Sequence, residues 1–120
     1  MKLSDKQQIF TKNIASLIAY ADLLGIGLTF GHAYRDLETQ KRLVKEGKSK
    51  TLNSYHLKRL AVDFNFFING KLTYDKHKLA ELGRFWEGLH PDNKWGGNFV
   101  IIRNGEKFPY EDTPHFEMRG

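Results

Sequence analysis

SYHLKRLAVDFNFFING, residues 54–70, is the stretch from which the chain is read. Leu60, Val62, Phe64, Phe66 and Ile68 alternate, the period of a strand with one face on a core. Asp63 and Asn65 fall on the opposite face. Asn69-Gly70 is a hairpin signal, and a short strand from Lys71 to Tyr74 follows. A carboxylate inside an apolar run is costly to bury unless something pairs with it. His56 stands seven residues upstream of Asp63. The stretch therefore calls for a core on one side and a partner for Asp63 on the other.

Working outward, Phe10, Ile14, Leu17, Ile18, Ala21 and Leu24 recur at helical spacing, with Ser4 placed to cap the helix and Gly25 to close it. Ile26, Leu28 and Phe30 alternate as a half-buried strand. Asp36 is placed to cap a second helix carrying Leu37, Leu43 and Val44, which ends at Gly47. Residues 48–54, KSKTLNS, read as a loop. Asp75 caps a third helix with Leu79, Leu82, Trp86 and Leu89 inward, and HPDN at 90–93 breaks it. A strand from Phe99 to Ile102 leads to the Asn104-Gly105 turn, and His115 to Met118 forms the last strand. Helices and antiparallel strands mix without βαβ alternation, so the fold class is α+β.

Chain-level properties narrow the function. The 120 residues suit one domain, residues 1–120, with 40% apolar residues to build a core. No cysteine is present, which excludes disulfides, thiol catalysis and cysteine zinc sites; a transition-metal site must use His, Asp or Glu. No apolar run is long enough to span a bilayer, and MKLSDKQQIF lacks a signal-peptide core, so a cytoplasmic protein without membrane insertion is expected. The net charge is +5. Lys41, Arg42, Lys45, Lys48, Lys50, Lys58 and Arg59 carry much of the excess, against Glu46. That run is a solvated face or an attraction to an anionic partner, nucleic acid or a cell-envelope polymer. No aromatics interleave it, so a stacking platform for single strands is not evident.

The C-terminal DTPHFEMRG offers the remaining chemistry. On a strand His115 and Glu117 share one face, while Phe116 and Met118 share the other and pack inward. Asp112 precedes His115 by three residues, across Pro114. Two segments thus each offer a histidine and a carboxylate, and neighbouring strands would bring His56, Asp63 and His115 together. Two imidazoles and one carboxylate suit zinc, and three ligands leave a fourth position free, the catalytic pattern. Asp112 is placed to act as general base, and Glu117 to orient a ligand imidazole. Taken singly the signals stay open. Asp63 can instead pair with Arg59 or Lys58, and His115 can be a satisfied strand histidine. His77 and His90 flank the third helix as surface residues, and His32 has no assigned role.

In combination the motifs are more specific. Ser54, His56, Ala61 and Asp63 resemble the Ser-x-His-x-x-Gly-x-Ala-x-Asp motif of the zinc D,D- and L,D-peptidases of the M15 class. Trp95-Gly96-Gly97, followed by Asp112-Thr113-Pro114-His115-Phe116-Glu117, resembles the ending of the phage endolysin branch, the L-alanyl-D-glutamate peptidases. Tyr34-Arg35-Asp36-Leu37-Glu38-Thr39-Gln40 is similar to the Tyr-Arg-Ser/Asp-x-x-x-Gln segment of that family. Together they cover residues 34–117.

The resemblance implies the compact α+β fold shared by vancomycin-resistance D,D-dipeptidases and the Hedgehog signalling domain, a small antiparallel sheet flanked by helices. It implies Zn²⁺ held by His56, Asp63 and His115, with Asp112 as base and Arg35 holding the substrate carbonyl. Ser54, Gln40, Glu117 and Trp95 are candidates for supporting or substrate contacts. The implied activity is hydrolysis of the peptidoglycan peptide stem between L-Ala and D-Glu in phage-driven host lysis. A monomeric catalytic globule without a wall-binding domain would leave the host cytoplasm through a holin-type hole. Three readings compete: D,D-carboxypeptidase, a zinc- or wall-binding module without turnover, and a basic nucleic-acid binder using residues 41–59. The motif departs at one position, where Arg59 stands in place of Gly. The expectation there is a locally different loop, with Arg59 toward solvent or substrate and the ligand positions intact.

Overall fold

The structure is a computed structural model that describes residues 1–49 and 51–120; Lys50 of the basic run lies outside the described residues. The chain forms helix α1 (Leu3–Leu23), strand β1 (Ile26–Phe30), α2 (Leu37–Lys45), a 3-10 turn (Tyr55–Lys58), β2 (Ala61–Ile68), β3 (Lys71–Thr73), α3 (Lys76–Leu89), β4 (Asn93–Trp95), a second 3-10 turn (Gly96–Asn98), the hairpin β5 (Val100–Arg103) and β6 (Glu106–Pro109), and β7 (His115–Met118). The class is α+β, as expected. No helix among the described residues is long and apolar enough to cross a membrane.

Strand β2 is the spine of the five-stranded antiparallel sheet. Along one edge it pairs with β1, from Phe30 opposite Phe64 to Ile26 opposite Ile68. Its other edge is divided. The first half pairs with β7, setting Ala61, Val62 and Asp63 opposite Glu117, Phe116 and His115. The second half pairs with β3 across the Asn69-Gly70 turn. Strand β4 then completes the sheet on the far side of β7. The predicted alternation holds: Leu60, Val62, Phe64 and Phe66 are buried.

Helices α1 and α3 cover the apolar face. Phe10, Leu17 and Ala21 of α1 and Leu79, Leu82 and Trp86 of α3 join the strand residues and Phe116 in one core. The stripe on α1 is narrower than its periodicity predicts, since Ile18 and Leu24 are exposed. The cap also differs. Lys2, not Ser4, precedes the first helical residue, and its backbone N–H donates to Asp5 Oδ2 at 3.2 Å. Caps Asp36 and Asp75 sit where predicted, each side chain accepting from a backbone N–H in the first turn. Trp86 Nε1 donates to Lys94 O and Glu117 O, at 3.2 and 3.1 Å, which ties α3 to both β4 and β7.

The elements not anticipated lie between α3 and β7. HPDN does end α3, but Asn93 already opens β4. Asn93 is buried and donates from Nδ2 to Trp86 O, so a polar residue that reads as a breaker anchors a strand. The strand expected from Phe99 begins one residue later and pairs only with β6, as a separate two-stranded sheet.

Arg59 does not create a different loop. It adopts the left-handed conformation itself, φ 58° and ψ 35°. That conformation costs a non-glycine residue about 1–2 kcal/mol. It closes the 3-10 turn through Arg59 N–H to His56 O and Leu60 N–H to Tyr55 O, at 3.3 and 3.0 Å. The Arg59 guanidinium stacks 4.1 Å over the Tyr34 ring, an attraction that offsets part of that cost. The backbone a Gly would supply is therefore kept, and His56 and Asp63 hold their places.

Trp95 explains why glycines surround it. A Cβ on Gly83 of α3 or on Gly97 would strike the Trp95 indole, and a Cβ on Gly96 would strike the Asp112 carbonyl. Gly83→Ala removes a glycine from a helix interior, a gain of up to ~1 kcal/mol. The clash with a fully buried ring outweighs it by overpacking, at about 1–3 kcal/mol. Urea denaturation of this variant should show a lower midpoint than wild type; an unchanged or higher midpoint would mean that Trp95 is not held against α3.

Candidate metal centre

The β2–β7 register brings Asp63 and His115 face to face, and the 3-10 turn before β2 adds His56. One ligand atom from each of the three lies within 4.8 Å of the others, a group that can hold a metal ion. The turn is set by Ser54, whose Oγ accepts from the His56 backbone N–H at 3.1 Å. His56 is almost wholly buried, and its Nδ1 donates to Ala33 O at 2.8 Å. Its Nε2 has no hydrogen-bond partner among the described residues, yet it sits 3.3 Å from Asp63 Oδ1.

His115 is arranged the same way from the other side. Its Nε2 meets Glu117 Oε1 at 2.7 Å, which leaves Nδ1 facing Asp63 Oδ1 at 3.0 Å. Two imidazole nitrogens and a carboxylate thus converge on one point, each imidazole anchored by its other nitrogen. An orphaned buried ring nitrogen beside a carboxylate oxygen is the donor arrangement a divalent cation satisfies.

Without a cation the cluster is held by protons. Burial works against a charged His115, but Asp63 and Glu117 outweigh it and push its pKa up to about 9. Burial likewise opposes the Asp63 carboxylate, and the hydrogen bond from His115 together with the adjacent His56 ring overcomes it, holding Asp63 well below the usual range. These two shifts describe one interaction. Glu117, also penalised by burial, is held low by His115 and by Arg119, whose Nε donates to Glu117 Oε2 at 2.6 Å.

The cluster opens into a cavity of about 380 Å³ that Arg35, Asp112, Phe99, Tyr110 and Arg119 also line. Asp112 is positioned by its backbone: its N–H donates to Gly96 O, and its C=O accepts from His115 N–H, at 2.9 and 3.0 Å. Burial pushes its carboxyl pKa up. Arg35 reaches the centre through three bonds, from Nε to His32 Nδ1, Nη1 to Gln40 Oε1 and Nη2 to Asp63 Oδ2, at 2.7, 3.2 and 3.1 Å. Asp63 therefore pairs with Arg35, not with Lys58 or Arg59.

The supporting candidates divide. Gln40 is fully buried on α2 and donates to Ser49 Oγ and Thr51 O, so it fixes Arg35 from below. Trp95 does not line this cavity. Its buried indole donates to Thr113 O at 2.9 Å and braces the loop that carries Asp112. His32 and Arg119 are additions. His32 accepts from Arg35, with burial and then the Arg35 charge holding its pKa down. Its spacing, three residues before Arg35, is the only sequence signal for that contact. Arg119 follows the last motif residue by two, and only the strand's alternation places it beside Glu117.

No family model matches the sequence, and no curated protein matches it. Among solved structures the fold is similar to that of the Serratia marcescens L-Ala D-Glu endopeptidase ChiX, with a TM-score of 0.69. The match covers 91% of this chain and 77% of that one, at 22% identity. It is a likeness of fold.

The cluster's protonation predicts a pH response of the chelator-treated protein. A His115 whose folded pKa is raised from 6.5 to about 9 stabilises fully below 6.5, and the contribution fades as pH rises through about 9. Asp63 acts at the other end, its contribution fading as pH falls below 3.8. Thermal unfolding in a chelator should give a midpoint that declines between pH 6.5 and 9, and His115→Ala should flatten that decline. A midpoint that rises over this range would contradict the paired cluster.

Proposed function

We propose that this chain is a zinc-dependent peptidase that cleaves the peptide stem of bacterial peptidoglycan, between L-Ala and D-Glu, as an endolysin in phage-driven host lysis. The observation that carries the reading is the His56–Asp63–His115 cluster, whose two histidines line one cavity with Asp112 and Arg35. A purely structural metal site needs neither of the last two. The fold likeness to ChiX, an L-Ala D-Glu endopeptidase, supports the choice of bond.

His56, Asp63 and His115 would hold the ion. When bound, zinc supplies a Lewis acid that polarises a carbonyl and lowers the pKa of water to about 7. Asp112 is the base: its burial raises its affinity for a proton, so it takes one from the attacking water and returns it to the leaving amine. Arg35 keeps one hydrogen on each terminal nitrogen beyond its bonds to Gln40 and Asp63. These are offered to the substrate carbonyl oxygen as negative charge grows on it, which favours the transition state over the ground state. Glu117 holds the Nε2 proton of His115 and so keeps Nδ1 toward the ion. Gln40, His32 and Ser54 position Arg35 and His56. The substrate partner is a muropeptide, and release through a holin-type membrane hole would bring the enzyme to it.

Digestion of muropeptides by the zinc-loaded protein, followed by mass spectrometry, tests the reaction. A new amino terminus on D-Glu is the expected product. Loss of a terminal D-Ala instead would make the chain a D,D-carboxypeptidase, and intact muropeptides would leave only a binding module. Asp112→Asn should retain the metal and lose ~10²–10⁴-fold in kcat, the usual worth of a positioned base. Full activity in that variant would remove Asp112 from the mechanism.

A further inference from the structure

Among the described residues three Arg or Lys side chains line the cavity: Arg35, Lys48 and Arg119. Arg35 bonds His32, Gln40 and Asp63, and its remaining hydrogens are those assigned above to the scissile carbonyl. Lys48 is largely exposed and pairs with Glu46 at 3.4 Å. Arg119 differs from both. Its Nε is spent on Glu117, but its two terminal amino groups have no partner among the described residues.

The Arg119 side chain is also held in place. Its Cζ lies 5.2 Å over the Phe99 ring, and Phe99 lies 5.6 Å from the His115 ring. Its backbone N–H donates to Asp92 O, and its carbonyl accepts from Lys6 Nζ, at 2.8 and 2.6 Å. A guanidinium fixed through Nε and one face still presents its outer amino edge, the fork that matches a carboxylate. Arg119 lines a second cavity as well, with Phe99 and Tyr110 shared between the two. Arg119 therefore borders both the cavity beside His56 and His115 and the second cavity next to it.

We infer that Arg119 determines specificity by binding a free carboxylate on the residue that follows the scissile bond. This rests on the peptidase reading above. In an L-Ala–D-Glu bond continued through the glutamate side chain, that group is the D-Glu α-carboxylate, one carbon from the leaving nitrogen. The enzyme then discriminates against walls in which this carboxylate is amidated, because an amide returns neither the charge nor two acceptor oxygens.

The test compares two synthetic peptides that differ only in this group, D-Glu or its α-amide, with zinc-loaded wild type and Arg119→Gln. Wild type should prefer the carboxylate by about ten- to a hundredfold in kcat/KM, the worth of a charge-assisted pair. Arg119→Gln should lose that preference, Arg119→Lys should keep part of it, and zinc content should be the same in all three. Equal cleavage of both peptides by an active wild type would overturn the inference and leave the peptidase reading standing. So would an Arg119→Gln variant that is slower on both peptides with the preference intact, since Arg119 would then act through Glu117 alone. If wild type cleaves neither, the peptidase reading fails, and calorimetric binding of the two peptides decides the rest. A carboxylate preference abolished in Arg119→Gln would still support the role of Arg119, and equal binding would overturn it.

Discussion

Everything in this molecule depends on the register that sets Asp63 of β2 opposite His115 of β7. Because side chains alternate across a strand, a slip of one residue would turn Asp63 into the core and Val62 and Phe64 out of it. The register that buries Phe64, Phe66 and Phe116 together is thus the same one that builds the polar cluster. Core and site are not separable specifications. The cluster is expensive to bury, and its three groups are tolerable only as a mutually paired set or around a cation. His56, locked at Nδ1 by Ala33 O, and His115, locked at Nε2 by Glu117, leave their other nitrogens no better partner.

The supports around this cluster are chiefly backbone and packing devices. Trp95 fills the space that Gly83 and Gly97 leave and holds Thr113, so the turn carrying Asp112 is fixed from beneath. Arg35 lines the same cavity and is itself held by a buried glutamine. Asp112 and Arg35 are therefore each restrained in part by buried residues that do not line the cavity, Trp95 and Gln40. That is the preorganisation catalysis requires, since a small displacement of such groups weakens their action.

The spine of the fold was legible because it rests on short-range pattern, and the grouping of His56, Asp63 and His115 because motifs in separate segments pointed to neighbouring strands. Period-2 alternation marks β2, and the polar interruption at Asp63 marks its other face. Helix-capping aspartates at Asp36 and Asp75 announce their helices by a local hydrogen bond. What was not legible depends on long-range partners. Strand β4 is three residues long and carries a buried Asn93, so nothing in its own composition marks it as a strand. Its reason to exist is the edge of β7. The narrow stripe on α1 reflects how little of that helix the sheet covers. Arg59 looked like a departure from the motif because a residue type was read as a backbone conformation. Asn, Gly and even Arg can occupy the left-handed region when closure of the turn and a stack on Tyr34 offset the cost. Arg119 escaped notice because its role lies in what its guanidinium leaves unpaired, which only the three-dimensional contacts reveal.

The Asp63–His115 pairing, completed by His56, forms a group that can hold a metal ion. Equilibrium dialysis against zinc with elemental analysis, on wild type and on His56→Ala, Asp63→Ala and His115→Ala, addresses it most directly. One ion per wild-type chain, with occupancy lost in each of the three variants while their helical circular dichroism is kept, is the expected result. A folded wild-type protein that binds no ion, or variants that retain it in full, would contradict it.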